Sequence, residues 1–599
     1  MQNSEDTTES KISDKPDHND NNETSDIHIT VTPSTNEKHS GVLTAEEEGP
    51  EHPTCCSIDR PFPVLGFLKR YKSSYFNVDF VSGLTVGVIA IPQGMSNCLL
   101  ANLPPAYGLY GCIVPVLVYV LFTTTRQVNV GPYAVVSVMI ASFLSFIDYE
   151  QEEAEYIGSV LTIALFSGIL LTLLGILRCG FITRVLSDSV MKSFTASSAI
   201  VITTSQIGHY WGVKTGTGAP IKQLITLLTL ASQHQLNWYA FLIGSVASAL
   251  LFAMKKIKEK RWPHTPIPLE LFIVILGIVV MRVFGLRQRW NIKAVGDYPI
   301  AKGFPPLSLP SMTHWTRLVF PAAIIGVICY SSTIAVSKNN ARAIGKPVDD
   351  NQELVALGMS HLVGSFFSSI ACSVSLSRSS VAATLDAKTP LFNIYSVVVI
   401  LVCLFFLADW IALIPNAVLA TVVIVNLFNS FASFKVLPTL WRCSPSDFWT
   451  FLTCTVVMVL FGAEAGLIAS IVVSLLLLWL SLHTLHPRAV EPLESVEGME
   501  SQTEQKEKDT VVVAKEAIHF LNRDSLVQQV EKAIAMAEKG NKRITVDLRR
   551  TCFIDVSGMN ALHDIFTLLK HHNIASSFVV EDDYLAEKLK AKQIVDIPF

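Results

Sequence analysis

Between about residue 78 and residue 485, apolar runs follow one another with only short polar or Gly/Pro-containing joints between them. A helix needs roughly 20 mainly apolar residues to cross a bilayer core, and about fourteen segments of this kind can be counted. Half of the residues are apolar and only 16% are charged. This pattern predicts an α-helical polytopic membrane protein and excludes a set of soluble domains.

Composition divides the chain into five parts. The first is rich in Asp, Glu, Asn, Ser and Thr, so it cannot bury enough apolar surface to fold and is expected to be disordered. The last has the composition of a soluble domain. The predicted parts are an acidic disordered tail (1–54), a cytoplasmic pre-membrane segment (55–77), the transmembrane domain (78–487), a linker (488–508) and an α/β domain (509–599).

The α/β domain alternates short β-branched runs with amphipathic runs, which predicts a small sheet covered by helices. The order is strand, helix, strand, helix, strand, helix. These elements are Thr510–Ala514, Ser525–Lys539, Ile544–Leu548, Gly558–Lys570, Ser577–Val580 and Tyr584–Lys592.

Basic residues in short loops predict the orientation in the membrane. Lys69, Arg70 and the run 255–261 fall on one side if the spans alternate, whereas the acidic loop 148–153 falls on the other. Arg287 and Arg289 are exceptions to this charge rule, because alternation of the spans places them on the same side as the acidic loop. No apolar leader follows Met1, so we expect the first span to act as the insertion signal and both termini to be cytoplasmic.

Charge and cysteine usage point to no further partner class. The net charge of -4 does not indicate nucleic acid. The eleven cysteines are scattered, many inside apolar runs, which is typical of small buried hydrophobes and not of a disulfide framework or a zinc site. No metal or cofactor is predicted.

An anion inside a membrane needs hydrogen-bond donors and positive potential. The start of a helix supplies both, because its first N–H groups are unpaired and its dipole is positive there. Transporters built from two repeats obtain such starts in mid-membrane by breaking a helix at matching positions. The sequence contains two candidates, one in each half.

The first candidate is the segment 129–137, at the start of the third apolar run. Pro132 suits the first helical turn, where its missing N–H is no loss, and Gly131 lets a ligand approach the backbone. A short helix that begins within the bilayer is one interpretation. An ordinary turn before a span is the other, and the residues alone leave the two open.

The second candidate is the segment 372–380, the third in the second half. Its serines can cap a helix start or donate to an anion, and Arg378 is a charge at membrane depth. An exposed loop with a solvated Arg378 is the alternative, but apolar spans follow closely on both sides, which favours a functional site.

The first span is interrupted by Pro92, and two amides follow this break. Gln93 and Asn97 lie one turn apart and share a helix face. Polar amides in a membrane helix either hold helices together or line a cavity, and helix packing is the commoner role.

Six segments taken in order resemble the motifs of the SulP (sulfate permease) anion transporters. They are Asp79–Gly87, Pro92–Met95, Leu103–Tyr110, Gly131–Ala134, Asn351–Leu354 and Ser375–Ser379. The resemblance covers everything after the N-terminal tail and is greatest to the animal (prestin/pendrin-like) branch of the family.

The resemblance implies fourteen membrane segments in two inverted halves of seven, arranged as a core and a gate domain, with an anion held between the N-termini of the third and tenth helices. It also implies a homodimer, a C-terminal STAS domain that could bind cytoplasmic partners, and pre-membrane strand residues that join the STAS sheet. The candidate substrate-binding residues are Gln93, Asn97, Gly131, Pro132, Tyr133, Ala134, Ser332, Ser375, Leu376, Ser377 and Arg378.

Proton-coupled members of the family carry a carboxylate in the eighth segment, whereas this chain has Ser331, Ser332 and Thr333. Without a titratable acid facing the anion, we expect exchange and not proton-coupled symport. The expected substrates are chloride, bicarbonate, sulfate or oxalate, and the expected mechanism is elevator-like alternating access. We expect the protein at the plasma membrane more than at an internal membrane. An uncoupled anion channel, a proton-coupled sulfate symporter and a transport-dead scaffold acting through the STAS domain are the alternatives.

Two further residues have open roles. Ser557 lies at the strand-to-helix turn that bacterial relatives phosphorylate, so it is a candidate regulatory residue, although a helix-capping role is favoured. His361 lies in an apolar segment, where packing is favoured over a proton relay.

Overall fold

A computed structural model describes residues 27–31, residues 62–484 except for short gaps, and parts of 510–580. The gaps in the membrane part are 148, 150, 181–187, 214, 216–218, 263–264, 266, 298–302 and 345–347. The predicted linker and the predicted helix Tyr584–Lys592 lie outside the described residues, as does most of the predicted helix Ser525–Lys539.

The first half of the membrane part is helical except for one short strand. Its elements are α1 (Pro63–Lys69), α2 (Ser73–Leu100), α3 (Pro105–Tyr110), α4 (Val114–Phe122), β2 (Val130–Pro132), α5 (Ala134–Phe143), α6 (Glu153–Ile176), α7 (Asp188–Tyr210), α8 (Pro220–Ser232), α9 (Trp238–Arg261), α10 (Leu269–Phe284) and α11 (Leu286–Trp290). The label β1 belongs to the earlier strand Ile27–Val31.

The second half repeats this order. Its elements are α12 (Trp315–Ala343), α13 (Asp350–Ser365), β3 (Cys372–Val374), α14 (Leu376–Thr384), α15 (Phe392–Phe406), α16 (Ala408–Ile411), α17 (Asn416–Phe431), α18 (Leu437–Cys443), α19 (Pro445–Phe461) and α20 (Ala463–Thr484). In both halves the third segment is a three-residue strand followed by a short helix.

Seven helical segments in the described part are long and apolar enough to cross a membrane, and three shorter apolar helices accompany them. Counting α3–α4 as one segment and each strand with its short helix as one, and leaving out α8, α16 and α18, α2 to α10 give seven membrane segments and α12 to α20 give seven more. The first four segments of each half pack together as a core, and the last three of each half form a gate.

A close glycine contact sets the position of α2 in the core. A Cβ added to Gly94 of α2 would lie 2.8 Å from the carbonyl oxygen of Gly108 in α3, which is closer than packed atoms tolerate. The two backbones can approach only because both residues lack side chains. This contact fixes the segment of α2 that carries Gln93 and Asn97.

A buried carboxylate joins α13 to the end of α4. Glu353 has no exposed surface and accepts hydrogen bonds from Tyr119 Oη at 2.6 Å, Thr123 Oγ1 at 2.9 Å and Thr124 N at 2.8 Å. A buried charge is tolerated only when its lone pairs are satisfied in this way. The carboxylate of Glu353 therefore holds these two core helices together.

The C-terminal domain contains β4 (Thr510–Val513), β5 (Ala517–Ile518), β6 (Ile544–Asp547), β7 (Phe553–Ile554), α21 (Val556–His571) and β8 (Ser576–Val580). Strands β4, β6 and β8 lie within one residue of the predicted strand bounds and pair in parallel, in the order β8–β6–β4. The buried face of α21 packs on the sheet through Met559, Leu562 and Ile565.

The fourth strand of this sheet is β1, which pairs antiparallel with β8 from Ile27 opposite Val580 to Val31 opposite Ser576. It lies inside the tail expected to be disordered, so that prediction is wrong for these five residues. The tail is polar on average, but Ile27–Val31 alternates β-branched and polar residues, which is the pattern of a strand. The resemblance implies a strand of this kind directly before the first span, and the structure places it further upstream, in the tail.

Candidate functional site

Strands β2 and β3 pair antiparallel and bring the two broken segments together. Gly131 lies opposite Ser373 and Pro132 opposite Cys372, and the amide N–H of Ser375 donates to the carbonyl of Asn129 at 3.0 Å. All six strand residues are buried. Irregular backbone survives at membrane depth only where protein surrounds it, so this pair lies inside the core.

Each strand leads directly into a short helix. Helix α5 begins at Ala134 after the extended residue Tyr133 and has 10 residues, and α14 begins at Leu376 after the extended residue Ser375 and has 9. Because the strands are antiparallel neighbours, the two helix starts lie at the same small sheet. The unpaired N–H groups of both first turns thus converge on one region.

Side chains from three other helices occupy the strand edges that do not face the partner strand. Asn97 Nδ2 of α2 donates to the carbonyl of Pro132 at 2.8 Å, and the N–H of Val374 donates to Thr333 Oγ1 of α12 at 3.3 Å. His361 of α13 contacts the backbone of Cys372. These three side chains therefore supply hydrogen-bond partners to backbone groups that do not face the partner strand.

The prediction that Ser332 contributes to the site is not supported by its position. The residue of α12 that reaches the strand is Thr333, and Ser332 is not among the residues that line the cavity described below. Successive helix residues point about 100° apart, so only one of three neighbouring hydroxyls can face β3. No pattern in the sequence distinguishes Thr333 from its two serine neighbours.

Gln93 reaches the first turn of α14. Its Nε2 lies 3.1 Å from Ser377 Oγ, and its Oε1 lies 3.3 Å from the same oxygen. Of the two roles considered for the amides of α2, cavity lining therefore holds for Gln93, and Asn97 both lines the cavity and binds the strand. Gln93 and Ser377 place two polar groups beside the start of α14.

Arg378 is the largest fully buried side chain among the described residues, with 1% of its surface exposed. Its Nη1 lies 3.5 Å from Cys112 Sγ, and its Nε and Nη2 have no hydrogen-bond partner in the described part of the chain. A Cβ on Gly131 would lie 2.6 Å from Nη2. The guanidinium thus lies behind β2 and adds positive charge to the site without lining the cavity.

A cavity of about 1450 Å³ opens beside the two helix starts. Core helices α2, α12 and α14 and gate helices α7, α9, α10 and α17 line it, and so do residues of the C-terminal domain, including Asn560 and His563. The predicted site residues that line it are Gln93, Asn97, Pro132, Tyr133, Ala134, Ser375, Leu376 and Ser377.

Four lysines line the same cavity: Lys192, Lys255, Lys258 and Lys338. Lys255 Nζ lies 2.6 Å from Asn426 Oδ1 and 3.4 Å from Glu270, and Lys338 Nζ lies 2.8 Å from Asp350. Lys255 and Lys258 belong to the basic run 255–261 that predicts the orientation of the spans, and the sequence assigns no role to Lys192. Their convergence from three helices, α7, α9 and α12, could not be predicted from the sequence, because it depends on how core and gate pack.

The N-terminus of α21 differs from the expected arrangement. Asp555, and not Ser557, caps this helix, because Asp555 Oδ1 accepts a hydrogen bond from Gly558 N at 2.6 Å. The capping role favoured for Ser557 is therefore wrong. Ser557 lies in the first turn of α21, as predicted, and is 1% exposed.

The sequence matches the model of the sulfate permease family over residues 76–454. Human prestin is 32% identical over 434 residues, which cover 69% of this chain and 58% of prestin. The chloroplastic sulfate transporter 4.1 of Arabidopsis thaliana is 33% identical over 424 residues, with 70% and 60% covered. The matched part therefore spans less than two thirds of these curated relatives.

Solved structures show the same fold. The inward-facing murine Slc26a9 anion transporter superposes with a TM-score of 0.68 at 24% identity, covering 88% of this chain and 90% of its own. The transmembrane domain of the cyanobacterial bicarbonate transporter BicA gives 0.56 at 19% identity, covering 67% and 98%. With a family match over most of its membrane part, this chain belongs to the sulfate permease family of multi-pass membrane anion transporters, which are not enzymes.

Proposed function

We propose that this protein is a secondary active anion transporter that exchanges chloride, bicarbonate, sulfate or oxalate across the membrane. The observation that carries the proposal is the antiparallel β2–β3 pair, which brings the N-termini of α5 and α14 to one cavity. The anion would lie between these helix starts, where backbone N–H groups and the positive ends of two helix dipoles favour negative charge.

The side chains around the helix starts fit a small anion. Gln93 and Ser377 offer donors at the cavity surface, and buried Arg378 supplies positive charge from behind β2. The charge of Arg378 is held at a distance, so the anion would be attracted without a tight ion pair, which suits a substrate that must leave again.

The position of the cavity between core and gate supports an elevator-like alternating-access mechanism. The cavity reaches the C-terminal domain at one end, so we infer that the described conformation is open to the cytoplasm. Movement of the core past the gate would carry the two helix starts, which belong to the core, to the opposite side. The anion would travel with them because its ligands belong to one rigid unit.

The test is uptake of labelled sulfate, oxalate and chloride into proteoliposomes that hold purified protein, with and without internal anion and with and without a pH gradient. If the protein is an exchanger, uptake should require internal anion and should not increase when a pH gradient is imposed. Uptake driven by a pH gradient would instead indicate a proton-coupled symporter.

Two other outcomes would reject exchange. A large chloride current that ignores the anion on the other side, recorded under voltage clamp, would indicate a channel. Absence of any anion flux from well-folded protein would indicate a scaffold that acts through its C-terminal domain.

We further propose that the C-terminal domain is a STAS domain that binds cytoplasmic partners, that the protein is a homodimer, and that both termini face the cytoplasm of a cell whose plasma membrane holds it. The strand–helix order and the capped turn at Asp555 support the domain assignment. Because Ser557 is buried, its phosphorylation would require the turn to open. Mass photometry, surface labelling and phosphopeptide mapping test these points in turn.

A further inference from the structure

His361 makes contacts from both nitrogens of its ring and has 1% of its surface exposed. Nε2 lies 3.0 Å from the amide nitrogen of Cys372 and 2.5 Å from the carbonyl oxygen of the same residue. Nδ1 lies 3.0 Å from Ser167 Oγ on α6. One imidazole therefore joins α13, α6 and the backbone of β3.

Both polar groups of Cys372 point away from β2. In an antiparallel pair, alternate residues face the partner strand, and the N–H of Ser375 donates to Asn129 while that of Val374 turns to Thr333. The backbone N–H and C=O of Cys372 point away from β2, as those of Val374 do. Pro132, which lies opposite Cys372, has no N–H that could donate. The N–H of Cys372 instead lies 3.0 Å from Nε2 of His361, which can accept its hydrogen bond.

The contact bears on the site because β3 is the lead-in to α14. Only Ser375 separates the last residue of β3 from the first residue of α14. A buried backbone group without a partner destabilises the structure, so the strand would shift to find another partner. A shift of β3 moves the N–H groups that begin α14.

We propose that His361 is a positioning residue for the anion site, and that its neutral ring fixes β3 and thereby the direction of the first N–H groups of α14. This inference rests on the proposed function, since it assigns a role in that same site. His361 does not line the cavity, so it acts through the strand and not by touching the anion.

The neutral ring suits this task when its proton lies on Nδ1. In this tautomer the ring donates to Ser167 Oγ and accepts from the N–H of Cys372. With the proton on Nε2, the ring would donate to the carbonyl of Cys372 and leave the N–H of Cys372 without an acceptor. A charged ring would leave the N–H of Cys372 without an acceptor.

Two amide substitutions separate the contacts of the ring. His361→Gln places an amide near the position of Nε2, so it keeps the contact with Cys372 and loses that with Ser167. His361→Asn places its amide near the position of Nδ1, so it keeps the contact with Ser167 and loses that with Cys372. The matched control on the same helix is Ser360→Ala, since Ser360 Oγ donates only to its own helix at Ala356 O, 2.7 Å away.

The measurement is labelled sulfate uptake into proteoliposomes at a range of external sulfate concentrations, with the amount of monodisperse protein and its thermal unfolding recorded for each variant. We expect His361→Asn to raise the half-saturating sulfate concentration about tenfold. Its unfolding temperature should equal that of His361→Gln. His361→Gln and Ser360→Ala should stay within about twofold of the unchanged protein.

The proposal is overturned if His361→Asn transports with unchanged half-saturation, or if His361→Gln is impaired as much as His361→Asn. In the latter case the shape of the imidazole ring, and not its contact with Cys372, would determine transport. These outcomes differ from failure of the proposed function, in which the unchanged protein itself would show no saturable sulfate, oxalate or chloride flux.

Discussion

The backbone of Gly131 lies against the guanidinium of Arg378, so closely that a Cβ on the glycine would come within 2.6 Å of Nη2. The two residues belong to the third segments of opposite halves. Gly131 sits in β2, and Arg378 sits in the first turn of α14. The absence of a side chain at 131 is therefore what admits a buried charge between the two broken helices.

The first prediction concerns this contact. Gly131→Ala should displace the guanidinium from behind β2 and lower the initial rate of labelled anion uptake by about tenfold or more, because the added carbon cannot be accommodated without a shift. The matched control is Gly66→Ala, where a Cβ would lie 3.3 Å from the tip of exposed Arg70. Equal uptake by the Gly131 and Gly66 variants would contradict the prediction.

The second prediction tests the charge of Arg378. Arg378→Gln removes it from a buried position and should reduce uptake by about a hundredfold at subsaturating anion, since charge in a region of low dielectric acts strongly. Arg378→Lys keeps the charge but not the planar fork, and should be intermediate. Arg289→Gln, at an exposed position, is the control. Full uptake by Arg378→Gln would remove this residue from the site.

The third prediction addresses Gln93, whose amide lies beside Ser377 at the cavity. Gln93→Glu keeps the shape but places a carboxylate beside the start of α14, so it should repel anions and abolish uptake at neutral pH. Gln93→Ala removes only the donor and should raise the half-saturating concentration by about fivefold. Gln233→Glu on the exposed end of α8 controls for added charge. Uptake by Gln93→Glu at the rate of the control would be inconsistent with the assignment.

The fourth prediction is on stability. Glu353→Ala leaves the hydroxyls of Tyr119 and Thr123 without their acceptor inside the core, and we expect the core to lose about 3 kcal/mol. Thermal unfolding of the detergent-purified protein, followed by the loss of the monodisperse peak, measures this. Glu152→Ala, at an exposed position ahead of α6, should unfold at an unchanged temperature.

The fifth prediction is on ionic strength. Lys255 lines the cavity in contact with Asn426 and Glu270, where its charge would draw anions toward the helix starts. Lys255→Gln should lower uptake about threefold at low ionic strength and less at high ionic strength, because salt screens charges at such distances. Lys222→Gln on exposed α8 should show neither effect. A loss that is independent of salt would point to packing.

Much of the fold was accessible from the sequence because apolar runs and turn residues are local signals. Gly131 with Pro132 indicates the broken helix in the first half, and the serines ahead of Arg378 indicate the one in the second half. The pairing of β2 with β3 was not accessible, since it joins residues about 240 positions apart and three-residue strands carry no periodicity of their own.

Errors in the candidate site have the same origin. Ser332 and Thr333 are chemically alike and adjacent, and only the rotation of α12 against β3 selects the second of them. Asp555 and Ser557 are both good helix caps by residue type, and the start of α21 at Val556 selects the first. The role of His361 depends on the direction in which the backbone N–H and C=O of Cys372 point. No sequence pattern in α13 predicts that direction.

The pairing of Ile27–Val31 with Ser576–Val580 makes residues from opposite ends of the sequence neighbours in one sheet. A truncation that deleted the first 31 residues as a dispensable tail would uncover the hydrogen-bonding edge of β8. Bare strand edges recruit other strands, so such a shortened protein would be prone to aggregate even though its membrane helices were intact. Expression variants of this protein are best designed with that segment retained.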